Sequence, residues 1–241
     1  RGERRKQMEH NMTPEIIAKY FDQTLLKPYA SETDFRNFCA ESARYHFKMI
    51  AINSAPVAKC KRFLAASDVL VGAAIGFPLG QTTVEDKVYE TERAIADGAD
   101  EIDYVINIGE MKSGNDLYIE DEMRRIVSVC RKAGKTVKVI FENCYLTDDE
   151  KRRLCRIALR VKPDFIKTST GFGTPPSGIP VGATVADVRL MKEAVGNAIK
   201  VKAAGGIRTL ADAMAMIEAG AERIGTSAGV SIIEELRRER S

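Results

Sequence analysis

Histidine and tryptophan are nearly missing from this chain of 241 residues. It contains two histidines, His10 and His46, and no tryptophan. Two histidines cannot furnish a His-rich catalytic metal site, and they also disfavour Ser-His-Asp hydrolysis. Any reaction that the protein catalyses is therefore expected to depend on other side chains.

Cysteines are few and unpaired in the sequence. Their number, five, is odd, and no Cys-x-x-Cys spacing occurs, so neither a disulfide framework nor a zinc ribbon fits. We expect small buried hydrophobic residues and no metal site at Cys39, Cys60, Cys130, Cys144 and Cys155.

Long apolar runs and an excess of one charge are also absent. No stretch reaches the roughly 18 apolar residues of a membrane helix, and residues 1–6 lead into no hydrophobic signal segment. The 37 basic and 34 acidic residues give a net charge of +3, which indicates no polyanionic partner. We expect a cytoplasmic protein that binds neither nucleic acid nor membrane.

The chain does contain a regular alternation of predicted helices and short apolar runs. Helix starts are marked by a serine or threonine before an apolar-periodic segment, at Thr13, Ser31, Thr147, Thr184 and Thr209. Glycines that suit helix ends stand at positions 98, 134, 196 and 220. The apolar runs predict eight strands, at 22–26, 48–53, 69–75, 100–106, 135–141, 164–168, 198–203 and 222–225.

Eight strands separated by helices predict an α/β protein with a single (β/α)8 TIM barrel. A doubly wound open sheet is the alternative, but it usually needs fewer strands, and no G-x-G-x-x-G follows the first strand. A short extra N-terminal helix is expected before the barrel. We predict an N-terminal appendage at 1–12 and one barrel domain at 13–241.

Strand alternation places ionisable side chains inside the predicted barrel. Successive strand residues point alternately outward, under the helices, and inward. Charges inside a barrel are costly unless they pair, lose a proton or take part in a reaction. The ionisable residues that this rule turns inward are Glu101, Asp103, Lys138, Glu142, Lys167, Lys200 and Lys202.

Three inward residues, Asp103, Lys167 and Lys202, fall near the carboxyl ends of their strands, where such barrels keep active sites. An ordinary lysine, of pKa ~10.4, is neutral in only about 1 molecule in 2,500 at pH 7, but burial and a second ammonium lower that pKa. Lys167 beside Lys202 is therefore predicted to attack a carbonyl and form a Schiff base, while Asp103 moves protons. Three residues lie deeper along their strands and are expected to form internal salt bridges: Glu101, Lys138 and Lys200.

Glycine-rich segments follow the sixth, seventh and eighth predicted strands. They are TSTGFG from 168, AAGGIR from 203 and GTSAG from 225. Glycines let backbone N–H groups approach an anion closely, and the loops after strands seven and eight are the usual phosphate cradle of this fold. The pattern favours a phosphorylated substrate.

The sequence resembles the 2-deoxy-D-ribose-5-phosphate aldolases, a family of class I aldolases. Six matching segments follow in order along nearly the whole chain. They are DQTLL at 22–26, IGFPLG at 75–80, EID at 101–103, IKTSTGF at 166–172, VKAAGGIR at 201–208 and RIGTS at 223–227.

The resemblance implies reversible cleavage of 2-deoxy-D-ribose 5-phosphate to D-glyceraldehyde 3-phosphate and acetaldehyde, without a cofactor. It implies that Lys167 forms the Schiff base and that Lys202 lowers its pKa and shares proton transfer with Asp103. The substrate-binding residues that it implies are Asp22, Thr24, Thr170, Gly171, Gly205, Gly206 and Ser227. Because barrels of this kind often pair through their outer helices, a homodimer is expected.

Other functions for a barrel of this kind stay open on the residues alone. A Schiff-base aldolase with another substrate, or an isomerase with Asp103 or Glu142 as base, uses the same inward groups. A non-catalytic barrel that binds phosphometabolites needs the lysines only to neutralise charge. Insensitivity to borohydride favours the isomerase, and ligand binding without turnover favours the non-catalytic barrel.

Overall fold

The structure, a computed structural model, describes residues 11–240. Its eight strands are all parallel and close into a barrel in chain order, with β8 pairing β1. The predicted (β/α)8 barrel and all eight predicted strands are therefore confirmed. The strands are β1 (Phe21–Leu25), β2 (Met49–Asn53), β3 (Leu70–Ile75), β4 (Glu101–Val105), β5 (Thr136–Ile140), β6 (Phe165–Lys167), β7 (Lys200–Ala204) and β8 (Arg223–Thr226).

Helices connect successive strands, and a short helix precedes β1, as the sequence predicts. Each of the five predicted N-cap side chains accepts a backbone N–H bond of its own helix. A 3-10 turn at Asn143–Tyr145 follows β5. The helices are α1 (Pro14–Ala18), α2 (Glu32–Arg44), α3 (Val57–Phe63), α4 (Val84–Ala96), α5 (Ile108–Lys112), α6 (Asp116–Lys132), α7 (Asp148–Val161), α8 (Val185–Val195), α9 (Leu210–Glu218) and α10 (Gly229–Glu239).

The hydrophobic core fills the layer between the barrel and its helices. Ile102 and Tyr104 of β4, like Val201 of β7, are fully buried on the outward side of their strands. All five cysteines are buried too, in agreement with the sequence prediction. With the apolar residues turned outward under the helices, the inner face is left to the charged residues.

The predicted appendage at 1–12 lies mostly outside the described residues. Within the described part, Met12 is 5% exposed and belongs to the hydrophobic core. The division into an appendage and a barrel domain stays a prediction. Among residues 11–240, no helix is both long and apolar enough to cross a bilayer.

Candidate active site

A cavity of about 260 Å³ opens at the carboxyl ends of the strands. Asp103 and Lys167 form part of its floor, and Phe77 and Phe172 form an aromatic wall, with ring centroids 5.5 Å apart. The remaining predicted site residues that line this cavity are Thr24, Thr170, Gly205, Gly206 and Ser227.

Asp103 joins the two predicted catalytic lysines. Its Oδ2 lies 2.9 Å from Nζ of Lys167 and 2.7 Å from Nζ of Lys202. Neighbouring strands fix this arrangement, because Lys167 of β6 stands in register with Lys202 of β7. The structure thus brings together the three residues that the sequence proposed for catalysis.

The environment of Lys167 favours a neutral amine. Its pKa is lowered to about 8, because burial and the ammonium groups of Lys202 and Lys138 together outweigh the nearby carboxylate of Asp103, which raises it. A lysine of that pKa is neutral in about one molecule in ten at pH 7, against about one in 2,500 for an ordinary lysine. Lys167 is 7% exposed, on the cavity side.

Two buried carboxylates stay ionised beside the lysines. Burial alone would raise the pKa of Asp103, but the ammonium groups of Lys138, Lys167 and Lys202 hold it well below its usual value. The same competition lowers the pKa of Asp22 to about 2, and Asp22 Oδ2 lies 2.5 Å from Nζ of Lys202. Asp22 and Lys202 are both fully buried, and neither lines the cavity.

Glu142 differs from the position that strand alternation predicts. Strand β5 ends at Ile140, and Glu142 adopts a left-handed conformation, with φ 59°. Its buried carboxylate accepts bonds from both the backbone N–H, at 3.0 Å, and the hydroxyl of Thr170. Burial raises the pKa of Glu142, while these bonds oppose the rise. Glu142 therefore fixes the loop that follows Lys167.

Consecutive glycines shape the loop after β7. Gly205 and Gly206 both have left-handed backbones, with φ of 85° and 79°. A side chain at Gly205 would stand 2.9 Å from Cα of Gly182 and 3.3 Å from Cα of Gly171. Gly205 is thus packed backbone against backbone with Gly171 and Gly182, whereas a Cβ at Gly206 would meet nothing within 4 Å.

Gln23 braces the loop after β8, a role that sequence reasoning missed. It lies on the outer face of β1, where an apolar residue is expected, and is 4% exposed. Its amide donates to the Ser227 carbonyl at 3.3 Å and accepts from the Gly229 N–H at 3.1 Å. An added Cβ at Gly229 would lie 2.4 Å from Gln23 Oε1, so a larger residue there would displace the Gln23 amide. A polar residue at a strand position that should be apolar was the available sign.

A second layer of charges lies below the cavity, towards the amino end of the barrel. Lys138 Nζ contacts Glu101 at 2.6 Å and Asp103 at 2.7 Å, as the salt-bridge interpretation predicts. Arg223, which is not among the inward residues predicted from the sequence, pairs with Glu101 at 2.9 Å and Asp22 at 2.8 Å. Lys200 is instead exposed, with Nζ 5.5 Å from the Phe165 ring centroid.

Fold and site together define a class of protein: a (β/α)8 barrel that presents a lysine of lowered pKa, as Schiff-base chemistry requires. The chain belongs to the DeoC/LacD family aldolases, whose family model matches residues 16–235.

Sequence relatives agree with this assignment. A deoxyribose-phosphate aldolase of Lactobacillus acidophilus is 52% identical over 225 residues, which cover 93% of this chain and 92% of the relative. One of Thermococcus gammatolerans is 51% identical over 223 residues, covering 92% of this chain and 96% of the relative. The similarity therefore extends over nearly the whole of each protein.

Solved structures give the same picture. The structure of QR15, an aldolase, superposes with a TM-score of 0.85 at 39% identity, over 93% of this chain and 97% of that one. A tetrameric deoxyribose phosphate aldolase from Aeropyrum pernix gives a TM-score of 0.86 at 31% identity, over 97% and 96% of the two chains.

Proposed function

We propose that this chain is a class I aldolase that reversibly cleaves 2-deoxy-D-ribose 5-phosphate to D-glyceraldehyde 3-phosphate and acetaldehyde. The observation that carries the proposal is the Lys167 amine, whose pKa is lowered to about 8 and which lies 2.9 Å from a buried carboxylate on a cavity floor. The names of the relatives supply the substrate.

The first half of the reaction breaks the carbon–carbon bond. The neutral Lys167 amine attacks the C1 carbonyl of the open-chain sugar, and loss of water gives an iminium ion. A base takes the proton of the C3 hydroxyl, and the C2–C3 electron pair moves to the iminium nitrogen. This step releases D-glyceraldehyde 3-phosphate and leaves an enamine on Lys167.

The second half returns the free enzyme. The enamine takes a proton at C2, and water hydrolyses the resulting iminium ion to acetaldehyde and the Lys167 amine. We assign the proton transfers to Asp103 and Lys202, because Asp103 Oδ2 bridges both amines within 2.9 Å.

Phosphate binding is proposed for the loops after β6, β7 and β8. Gly205, Gly206 and Ser227 line the cavity there, and Gly171 packs against Gly205. Ser227 also lies at the amino end of α10, and helix starts favour anions. Lys27 and Arg208 also line the cavity and supply positive charge. We propose that Thr24 and Thr170, on the same cavity, contact the sugar, and that Asp22 orients Lys202.

Replacing Gln23 with leucine tests the phosphate assignment. The variant loses both bonds that hold the loop carrying Ser227, so KM for 2-deoxy-D-ribose 5-phosphate is expected to rise about five- to tenfold. Steady-state kinetics with unphosphorylated 2-deoxy-D-ribose is the control, since its KM should change less than about twofold. Equal changes for both sugars would argue against a phosphate site here.

Replacing Lys202 with leucine tests the electrostatic part of the proposal. Lys202 lowers the pKa of Lys167, so its loss raises that pKa. The acid limb of the kcat/KM profile is expected to move up by about one pH unit or more, which costs about tenfold per unit at pH 7. Lys202→Arg keeps the charge and should keep the limb in place. A limb that stays or moves down in the leucine variant contradicts the assignment.

The activity itself is tested by product analysis. Purified protein and 2-deoxy-D-ribose 5-phosphate should yield acetaldehyde and D-glyceraldehyde 3-phosphate in equal amounts, at the same rate with and without a chelator. An isomerised pentose phosphate as the product would favour the isomerase alternative, and binding without turnover would favour the non-catalytic one.

Assembly and location are further proposals. We propose a homodimer that works in the cytoplasm, and light scattering on the purified protein tests the first point. A mass of twice 26.6 kDa supports the dimer, whereas a mass of four chains would match the tetramer described for the relative from Aeropyrum pernix.

A further inference from the structure

Below Asp103, Lys167 and Lys202, towards the amino end of the barrel, lies a second layer of charged residues that does not line the cavity. Arg223 donates to Glu101 through both terminal nitrogens, at 2.9 and 3.2 Å, and to Asp22 at 2.8 Å. Lys138 bridges Glu101 to Asp103. Every member is less than 7% exposed, so solvent screens these charges weakly.

Charges in this ion-paired cluster balance when Lys167 is left out. Within residues 11–240, the cluster joins the carboxylates of Asp22, Glu101 and Asp103 to the cations of Lys138, Lys202 and Arg223. Three negative groups thus meet three positive ones. A proton on Lys167 would give this buried set a net charge of +1, which burial disfavours.

We infer that Glu101 and Arg223 are positioning residues that tune the nucleophile from a distance: by fixing the net charge of the buried cluster, they favour the neutral form of Lys167. The inference rests on the proposed role of Lys167. Neither residue lines the cavity, so both act through Asp22, Lys138 and Asp103.

Lys167 is the group whose protonation should change when the net charge of the buried cluster changes. Arginine keeps its proton at any working pH. Burial alone would lower the pKa of Lys138, but Asp103, Glu101 and Asp22 together raise it above the usual value. Lys167 has the opposite balance, with its pKa lowered to about 8, and it lies next to the cavity.

Other charged groups near Lys167 lie outside this ion-paired cluster. Glu142, which follows β5, interacts electrostatically with Lys167, and its carboxylate accepts two bonds from Thr170. It is present in every variant compared below. Lys27 and Arg208 stand exposed at the cavity mouth, where water screens them. From the barrel strands, Asp103 of β4, Lys138 of β5 and Lys202 of β7 act on Lys167 directly. Behind them lie Asp22 of β1, Glu101 of β4 and Arg223 of β8.

Single substitutions of the two residues are expected to move the pH profile in opposite directions. Glu101→Gln removes a negative charge, so the acid limb of kcat/KM should move down by about one pH unit. Arg223→Met removes a positive charge, so the limb should move up by about the same amount. The substrate phosphate titrates alike in every variant and drops out of the differences.

The double variant and a matched control separate charge from packing. Glu101→Gln with Arg223→Met restores a neutral cluster, so its limb should return to within about 0.3 pH unit of the unsubstituted protein. Arg223→Lys keeps the charge and should also leave the limb in place. If the substitutions only damaged packing, the rates would fall, but the acid limbs of the two single variants would not shift in opposite directions and cancel in the double variant.

Unchanged limbs in Glu101→Gln and Arg223→Met, or shifts of the same sign, would overturn the inference. If Arg223→Met does not fold, the nearly isosteric Glu101→Gln decides alone, since an unmoved limb refutes a charge effect. Borohydride trapping with acetaldehyde, run on the same samples, separates this failure from that of the proposed function. An adduct on Lys167 with unmoved limbs refutes the inference alone, and no adduct on Lys167 in the unsubstituted protein refutes the proposed function.

Discussion

Replacing Lys167 with methionine is expected to lower kcat/KM for 2-deoxy-D-ribose 5-phosphate by about 10⁴-fold or more. Methionine has a similar length but no amine, so no Schiff base forms and the electron pair of the breaking bond has no acceptor. A steady-state cleavage assay measures the loss. Lys167→Arg should be equally inactive, because a guanidinium stays protonated.

Lys200→Met is the matched control for this loss. Lys200 belongs to the same inward series as Lys202, but its side chain is exposed and its Nζ lies near the Phe165 ring. Its substitution should change kcat/KM by less than about twofold. Activity above about one hundredth of the original in Lys167→Met would contradict Schiff-base catalysis by this residue.

Asp103→Asn is expected to lower kcat by about 10³-fold while leaving Schiff-base formation possible. The Asp103 carboxylate forms ion pairs with all three lysines. Its Oδ1 lies 2.7 Å from Nζ of Lys138, and its Oδ2 lies between the Nζ atoms of Lys167 and Lys202. An asparagine amide cannot take up a proton from the substrate or from these lysines, so the proton transfers of the cleavage reaction fail. The carboxylate also raises the pKa of Lys167, and its loss therefore favours the neutral amine.

Turnover and trapping should separate in this variant. Cleavage rates should fall, while borohydride with acetaldehyde still modifies Lys167. Thermal unfolding is the control for folding. The variant should still unfold in one transition, but at a lower melting temperature, because the buried cluster gains net positive charge. A kcat within about tenfold of the original would show that Asp103 is not the proton carrier.

Local rules predicted most of the fold and the catalytic centre. Strand alternation turned Asp103, Lys167 and Lys202 to one interior, and the register of β6 with β7 then brings the two lysines together. The serine and threonine caps were equally predictable, because each bond joins residues three apart. Strand alternation and N-cap spacing both relate residues that are close in the chain, so they can be recognised in a sequence without a structure.

Other features depend on contacts between distant parts of the chain. Arg223 pairs with Asp22 on the neighbouring strand β1 and with Glu101 on β4 across the barrel. The partners are 201 and 122 residues away in the chain, so alternation within one strand cannot reveal these pairs. Gln23 similarly meets a loop 204 residues away. Glu142 leaves the strand pattern because its backbone turns left-handed after β5. Such pairings follow from the closure of the barrel.

Reductive trapping tests the central claim most directly. The protein is incubated with acetaldehyde and sodium borohydride near pH 7, digested, and mapped by mass spectrometry. One ethyl-type adduct, on the peptide that contains Lys167, is the expected result, because this lysine combines access to the cavity with a pKa of about 8. An adduct confined to Lys138 or Lys202, or no adduct under conditions of full turnover, would contradict the account.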